Sequence, residues 1–300
     1  MFDTVPTLDC AGRVLKLDRP RICGVLNLTE DSFSGDGLAD DVRAAVWRGL
    51  EMVEQGADLL DVGAESTRPG AEGVDTQTEI ARVVPVIETL VRECGVPISI
   101  DTSKPEVMRA AVQAGAGLIN DIYALRREGA LDAAAELKVP VCLMHMRGEP
   151  RTMQNDPYYE DVVGEVHRFL AERVLAGEMA GIDKRRVLVD PGFGFGKMLQ
   201  HNLELLRSLE RFRDLAAGVF VGLSRKSMIG QLTGRESGIE RVAGSVAAAL
   251  IAVQRGAMIV RVHDVAQTRD ALAVWQAVHE GDAKSRPAEK PFGSQRFGDD

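Results

Sequence analysis

Val187-Leu188-Val189 is a short apolar run that stops at Asp190-Pro191. Proline cannot continue a central strand, so the Asp190 carboxylate stands at a strand exit. Gly192, Gly194 and Gly196 alternate behind it, and Lys197 closes the segment. The chain repeats this arrangement of an apolar run followed by a polar group. In order, the runs end at Asn27, Asp61, Asp101, Asn120, Met144-His145, Asp190, Ser224-Arg225-Lys226-Ser227, and Arg261 with His263. Carboxylates and carboxamides gathered with a lysine suit a flat heterocycle rich in ring N–H and C=O groups. An aspartate pairs bidentately with a 2-amino-pyrimidinone edge, and an asparagine matches a donor–acceptor pair. Lys226, Arg261 and His263 follow the last two runs, where barrels often keep a phosphate site. The Asn27 amide oxygen can join Mg2+, which favours substrate phosphates and water as its other partners.

Taken singly, several of these residues have plainer readings. Asp61 reads as a loop holder or helix cap, Arg225 as a structural ion-pair partner, and His145 as a hydrogen-bonded structural histidine. His167, His201 and His279 fall in helical or polar stretches and read as surface residues. For Lys197, a solvated loop cation and a functional cation stand level. The glycine-rich run before it is no nucleotide P-loop, because Pro191 occupies the first glycine's place and Met198 the hydroxyl position. Two polar stretches, Leu28–Ala39 and Ala64–Asp75, carry the glycines and proline of turns and are expected to order over the site as lids.

The runs that must position these groups are expected as strands at Ile22–Asn27, Leu59–Gly63, Pro97–Asp101, Leu118–Asn120, Val139–Met144, Val187–Asp190, Val219–Leu223 and Met258–Val262. Helical periodicity lies between them. Val42, Val46, Leu50 and Val53 share a face, as do Ile80, Val84, Ile87 and Val91, and then Val242, Val246, Leu250 and Val253. Thr76 with Glu79 and Ser103 with Glu106 read as capping boxes. Gly56, Gly95, Gly115 and Gly256 read as left-handed helix ends. Eight strands alternating with helices, with short returns and long strand-to-helix loops, predict a (β/α)8 TIM barrel of α/β class. An open doubly wound sheet is the runner-up, but no glycine fingerprint follows the first strand. Thr7 to Leu17 reads as a hairpin turning at Ala11-Gly12 that plugs one end.

Composition narrows the class further. Three hundred residues with 45% hydrophobic content can bury a large core. We read residues 1–281 as one domain, with the barrel proper from about residue 21 and 282–300 as a loose polar tail. A net charge of -9 argues against nucleic acid or an anionic membrane as partner, while leaving room for a locally positive pocket. Cys10, Cys23, Cys94 and Cys142 show no metal-ligand spacing and read as reduced structural thiols. The absence of a signal peptide or membrane-spanning run gives a cytoplasmic expectation.

The residues that carry the chemistry also carry a family resemblance. The segments 24–34 (GVLNLTEDSFS), 65–70 (ESTRPG), 99–105 (SIDTSKP), 119–121 (IND), 145–148 (HMRG), 190–197 (DPGFGFGK), 224–227 (SRKS) and 261–264 (RVHD) closely resemble the dihydropteroate synthase family, in order, from about Arg21 to Ala277. The resemblance implies condensation of 6-hydroxymethyl-7,8-dihydropterin diphosphate with p-aminobenzoate to give 7,8-dihydropteroate and diphosphate, for folate synthesis. It further implies a TIM barrel, a homodimer, use of Mg2+ and inhibition by sulfonamides. Carried over by position, Asp101, Asn120, Asp190 and Lys226 are pterin-pocket residues, with Met144, Phe195 and Gly222 as walls. Asn27, Arg261 and His263 fall on the diphosphate and Mg2+ side, with Asn27 as the metal ligand. Phe33, Thr67, Arg68, Pro69 and Ser227 fall on the p-aminobenzoate side. Asp101, Lys226, Arg261 and His263 are the catalytic candidates.

One stretch departs from the family pattern, which reads Thr-Pro-Asp-Ser-Phe-Ser-Asp-Gly-Gly in the first loop. Here Glu30 replaces the proline, and Gly35-Asp36 reverses the acid and the glycine. That change motivates a second reading, a non-catalytic or weakly active pterin-binding paralogue. A third is a pterin-dependent methyltransferase barrel, against which the Ser-Arg-Lys and Arg-Val-His segments speak.

Overall fold

The computed structural model describes residues 5–28, 38–65, 73–150 and 152–280. Eight parallel strands close into a barrel in the order β10, β3, β4, β5, β6, β7, β8, β9. They are β3 (Arg21–Asn27), β4 (Leu59–Gly63), β5 (Ile98–Asp101), β6 (Leu118–Asp121), β7 (Val141–Met144), β8 (Val187–Asp190), β9 (Gly218–Gly222) and β10 (Ala257–Val262). The helices that alternate with them are α1 (Leu38–Glu54), α2 (Thr76–Glu93), α3 (Pro105–Gln113), α4 (Ala130–Leu137), α5 (Val162–Met179), α6 (Leu199–Arg207), α7 (Ser227–Thr233), α8 (Val242–Gln254) and α9 (Val265–Glu280). The short apolar runs thus form strands covered on both faces, as a parallel sheet inside a helical ring requires.

Strand ends differ from the sequence expectation by a residue or two. Pro97 and Pro140 fall just outside their strands, yet their carbonyls still accept from Leu60 N–H (3.1 Å) and Ile119 N–H (3.0 Å). Register sets Asp101 opposite Asn120, Met144 opposite Asp190, and Gly222 opposite Arg261. The polar exits are therefore neighbours around one rim.

The hairpin forms as expected, β1 (Thr7–Cys10) pairing antiparallel with β2 (Arg13–Lys16). Leu8, Cys10, Leu15 and Leu17 pack onto Cys23, Leu59, Leu118, Cys142, Leu188, Phe220 and Ile259 from seven barrel strands. Several of these lie at or next to strand starts, so the hairpin stoppers the end opposite the polar rim. Contact is close, since a Cβ on Gly117 would stand 2.4 Å from the Cys10 carbonyl carbon. All four cysteines are buried and free.

Helix details correct several expectations. The buried stripe of α2 is Glu79, Val83, Val86, Ile87 and Leu90, with Ile80, Val84 and Val91 on its flank. On α8 the buried stripe is Ser245, Ala248, Ala249, Ala252 and Val253, because small residues let the helix lie close to the strands. The capping boxes are absent. Asp75 caps α2 through the Gln77 and Thr78 N–H groups, while Glu79 turns inward to Thr102 Oγ1 (2.6 Å) and the Lys104 ammonium. At α3, Lys104 is the capping position and Pro105 opens the first turn, where its missing N–H does no harm. Gly56, Gly115 and Gly256 are left-handed, but Gly95 is not.

Phe33, Thr67, Arg68, Pro69, the altered residues Glu30, Gly35 and Asp36, and the 282–300 tail lie outside the described residues. Among the described residues no helix is long and apolar enough to cross a membrane. Leu8→Ala should cost about 2–5 kcal/mol in urea unfolding, because it opens a cavity in the stopper. The kcat/KM of the folded fraction should not change, as Leu8 is remote from the rim.

Candidate active site

Arg261 leaves β10 and reaches across the barrel mouth. Its Nε donates to Asp61 Oδ2 at 2.6 Å, and a terminal nitrogen donates to Asp101 Oδ2 at 2.8 Å. Asn120 Nδ2 donates to the same Asp61 oxygen at 3.0 Å. Asp61, fully buried, therefore ties the Arg261 guanidinium to the Asn120 amide. This corrects its reading as a loop holder or helix cap. The partners lie 59 and 200 residues away in sequence, so no local pattern announces them.

Burial works against the Arg261 charge, but Asp61 and Asp101 outweigh it and its pKa is raised. Burial pushes Asp101 up to about 7; Arg261 pulls it down, while Asp61, Glu79 and Asp121 push it further up. Asp190 is likewise raised by burial, against Lys226 and the Gly192 N–H, which donates to Asp190 Oδ1 at 2.7 Å. Lys226 is lowered by burial to about 8, with Asp190 opposing and Arg261 assisting.

An apolar wall faces this cluster. Ile122, Tyr123, Met144, Met146 and Met153 pack together with Phe195 against them, which unites the expected walls Met144 and Phe195 and adds four residues the sequence did not single out. Lys226 Nζ stands 4.6 Å from the Phe195 ring centre, a cation–π distance, and donates to the Phe193 carbonyl. At Gly222 a Cβ would lie 3.9 Å from both Lys226 Nζ and Arg261 Cβ, so the bare backbone keeps space beside both cations.

The turn after β9 is tied at several points. Arg225, with φ +58°, forms a bidentate pair with Asp264 (2.5 and 3.0 Å) and donates its N–H to Ser245 Oγ at 2.9 Å. Its role as an ion-pair partner is as expected. The pair ties the β9 exit to the residue after His263. Ser224 Oγ lies 3.1 Å from His263 Nδ1 and accepts the His263 N–H at 3.2 Å. Burial, then Arg261 and Arg225, lower His263 to about 3, so its ring is neutral at pH 7. Ser227 opens α7 directly after Lys226. Asn27 ends β3 on the same rim.

Lys197 is not a solvated cation. It is 3% exposed, and its Nζ lies 2.9 Å from His145 Nδ1, 2.8 Å from the Gly192 carbonyl and 3.0 Å from that of Phe195. Burial holds the Lys197 pKa well below the usual lysine range, and burial with Lys197 lowers His145 to about 2. His145 is the hydrogen-bonded histidine the sequence suggested. Of the other histidines, His279 is exposed, whereas His167 and His201 are half-buried.

Among the described residues no group of three or more His, Cys, Asp or Glu side chains could hold a metal. Asn27, at the end of β3, offers one amide oxygen, so a Mg2+ there would need most of its oxygens from a bound ligand or water.

A profile described as pterin binding enzyme matches residues 23–263. The chain belongs to the pterin-binding enzyme family. Escherichia coli (strain K12) dihydropteroate synthase is 50% identical over 266 residues, covering 89% of this chain and 94% of the relative. Xanthomonas albilineans dihydropteroate synthase with 4-aminobenzoic acid superposes with a TM-score of 0.88 at 62% identity, over 92% of this chain and 99% of that one. The same enzyme in complex with 7,8-dihydropteroate gives 0.84 at 59%, over 91% and 99%. This pterin-binding enzyme is a transferase with dihydropteroate synthase activity.

Asp61→Ala should destabilise the protein by about 3–5 kcal/mol, because it strands Arg261 in a confined site. Joint replacement, Asp61→Leu with Arg261→Met, should recover part of that loss in the same urea titration: the guanidinium goes with its partner, and Asp101, no longer held down by Arg261, takes up a proton. An equal loss in the double variant would contradict this.

Proposed function

We propose that the synthase reaction at this mouth proceeds by diphosphate departure before attack, with roles divided around the rim. Asp101, Asn120, Asp190 and Lys226 hold the pterin ring against Met144, Phe195 and Gly222. Asn27, Arg261 and His263 take the diphosphate. Phe33, Thr67, Arg68, Pro69 and Ser227 form the p-aminobenzoate side. What carries the reading is Arg261, fixed on Asp61 and Asp101 beside Asn120 and Gly222. The Xanthomonas enzyme's complexes with 4-aminobenzoic acid and with 7,8-dihydropteroate support the same substrates here.

In the first step the bond from the pterin methylene carbon to oxygen breaks, and its electron pair leaves with the diphosphate. Arg261, aimed beforehand, meets the charge that develops on the leaving oxygens. His263 is neutral in the free site and gains a proton more readily once a diphosphate stands beside it. Mg2+ bound at Asn27 and the diphosphate would neutralise further charge there. Asp101, when ionised, stabilises the cation left on the pterin methylene. The neutral aniline nitrogen then forms the new carbon–nitrogen bond and releases its proton to water, a step that needs positioning above all.

A sulfonamide would compete at the p-aminobenzoate side, since it presents the same aniline. A second copy of the chain would cover α8 and α9, where Ile251, Val274 and Val278 are exposed near the half-buried Trp275. Four free, buried thiols suit the reducing cytoplasm.

The assay is diphosphate release from the pterin diphosphate, with and without p-aminobenzoate. Formation of 7,8-dihydropteroate is expected. Pterin binding with no turnover would instead support an inert paralogue. For the free enzyme, kcat/KM should rise with pH through about 7 as Asp101 ionises and fall through about 8 as Lys226 loses its proton. Asp101→Asn should abolish the lower limb, with a loss in kcat of roughly 100-fold. A lower limb that persists in Asp101→Asn would refute the assignment.

A further inference from the structure

The loop after β8 is held by every one of its carbonyls from Gly192 to Gly196. Lys197 Nζ donates to Gly192 (2.8 Å) and Phe195 (3.0 Å), Lys226 donates to Phe193, Gln154 to Gly194, and the Tyr159 hydroxyl to Gly196 (2.9 Å). Asn202 adds an acceptor for the Gly194 N–H at 2.8 Å. Gly192, Gly194 and Gly196 have φ of +70°, +79° and +61°, a backbone path that side chains disfavour. A Cβ on Gly192 would stand 1.9 Å from the His145 carbonyl oxygen, so the loop is pressed against the chain leaving β7.

The donor at the centre is the buried one. An ammonium withdrawn from water is costly unless other acceptors replace the water. Lys197 has the two loop carbonyls, and His145 Nδ1 lies 2.9 Å from its Nζ. The same loop carries Phe195, beneath the Lys226 ammonium, and the Phe193 carbonyl that Lys226 grips. Whatever sets the loop's shape therefore sets both.

We propose that Lys197 is a positioning residue of the pterin subsite: its buried Nζ fixes the 192–196 loop and so holds Phe195 and Lys226 where the pterin ring binds. It does so without touching substrate. The inference rests on the pterin assignment made above for Phe195 and Lys226.

Lys197→Met keeps the stem and removes the donors. The expected result is a rise of roughly 10- to 100-fold in KM for the pterin diphosphate. KM for p-aminobenzoate should rise by less, because the residues the loop holds, Phe195 and Lys226, are the ones assigned to the pterin ring. A purely structural lysine would lower the melting temperature and leave both KM values of the folded enzyme unchanged, which would overturn the proposal. Tyr159→Phe removes one outer donor while keeping its ring, and should raise the pterin KM alone by about two- to fivefold. It decides the matter if Lys197→Met does not fold; an unchanged pterin KM in Tyr159→Phe would then count against the loop's role. Calorimetric binding of 6-hydroxymethylpterin, measured in parallel on the unaltered enzyme, separates the two claims. Failure of the unaltered enzyme to bind it sinks the pterin assignment and this inference together. Equal binding by the unaltered enzyme and the variant sinks this inference alone.

Discussion

A guanidinium can be kept in the mouth of this barrel only because two carboxylates meet it there. Arg261 comes from β10, Asp61 from β4 and Asp101 from β5, and β3 separates the first from the other two around the rim. The ion cluster needs the sheet to be curved and closed. Closure in turn leaves three charged groups facing inward, and each alone would be costly to remove from water. The site's electrostatics and the barrel's geometry are therefore one constraint. A small change in strand order or tilt would separate the charges as well as the strands.

Two lysines that bond carbonyls of one loop show how the same residue type is put to different ends. Lys226 stands beside Phe195 and the gap left by Gly222, with a pKa brought down to about 8. Lys197 lies beneath the same loop and is enclosed by backbone carbonyls and an imidazole. One faces the space the loop encloses, and the other shapes the loop. Arg225 and Asp264 give the turn after β9 a comparable brace, so the segments bearing Lys226 and His263 are each fixed from behind.

Much of this was legible in the sequence, and the exceptions share a cause. Asp101, Asn120 and Asp190 stand out in the sequence because a polar residue ending a buried apolar run is locally visible, and register gathers such ends on one rim. The hairpin was visible because its turn and its apolar alternation are both local. Asp61 was undervalued because its meaning lies in Arg261, a residue far along the chain. Lys197 was ambiguous because a solvated cation and an enclosed one look alike in a glycine-rich loop. Glu79 sat at the spacing of a capping box but was claimed by Thr102 and Lys104, a tertiary competitor that spacing does not reveal. On α8 the face against the barrel was chosen by closeness of approach, which favours alanine over the larger valines that mark a periodic pattern.

The hairpin's leucines fill the lower end of the barrel, and Gly117 admits the Cys10 backbone with no room to spare. A vessel corked at its base has one doorway. Whatever lies deepest must come in first and go out last, so traffic through the mouth acquires an order from the architecture before any chemistry begins.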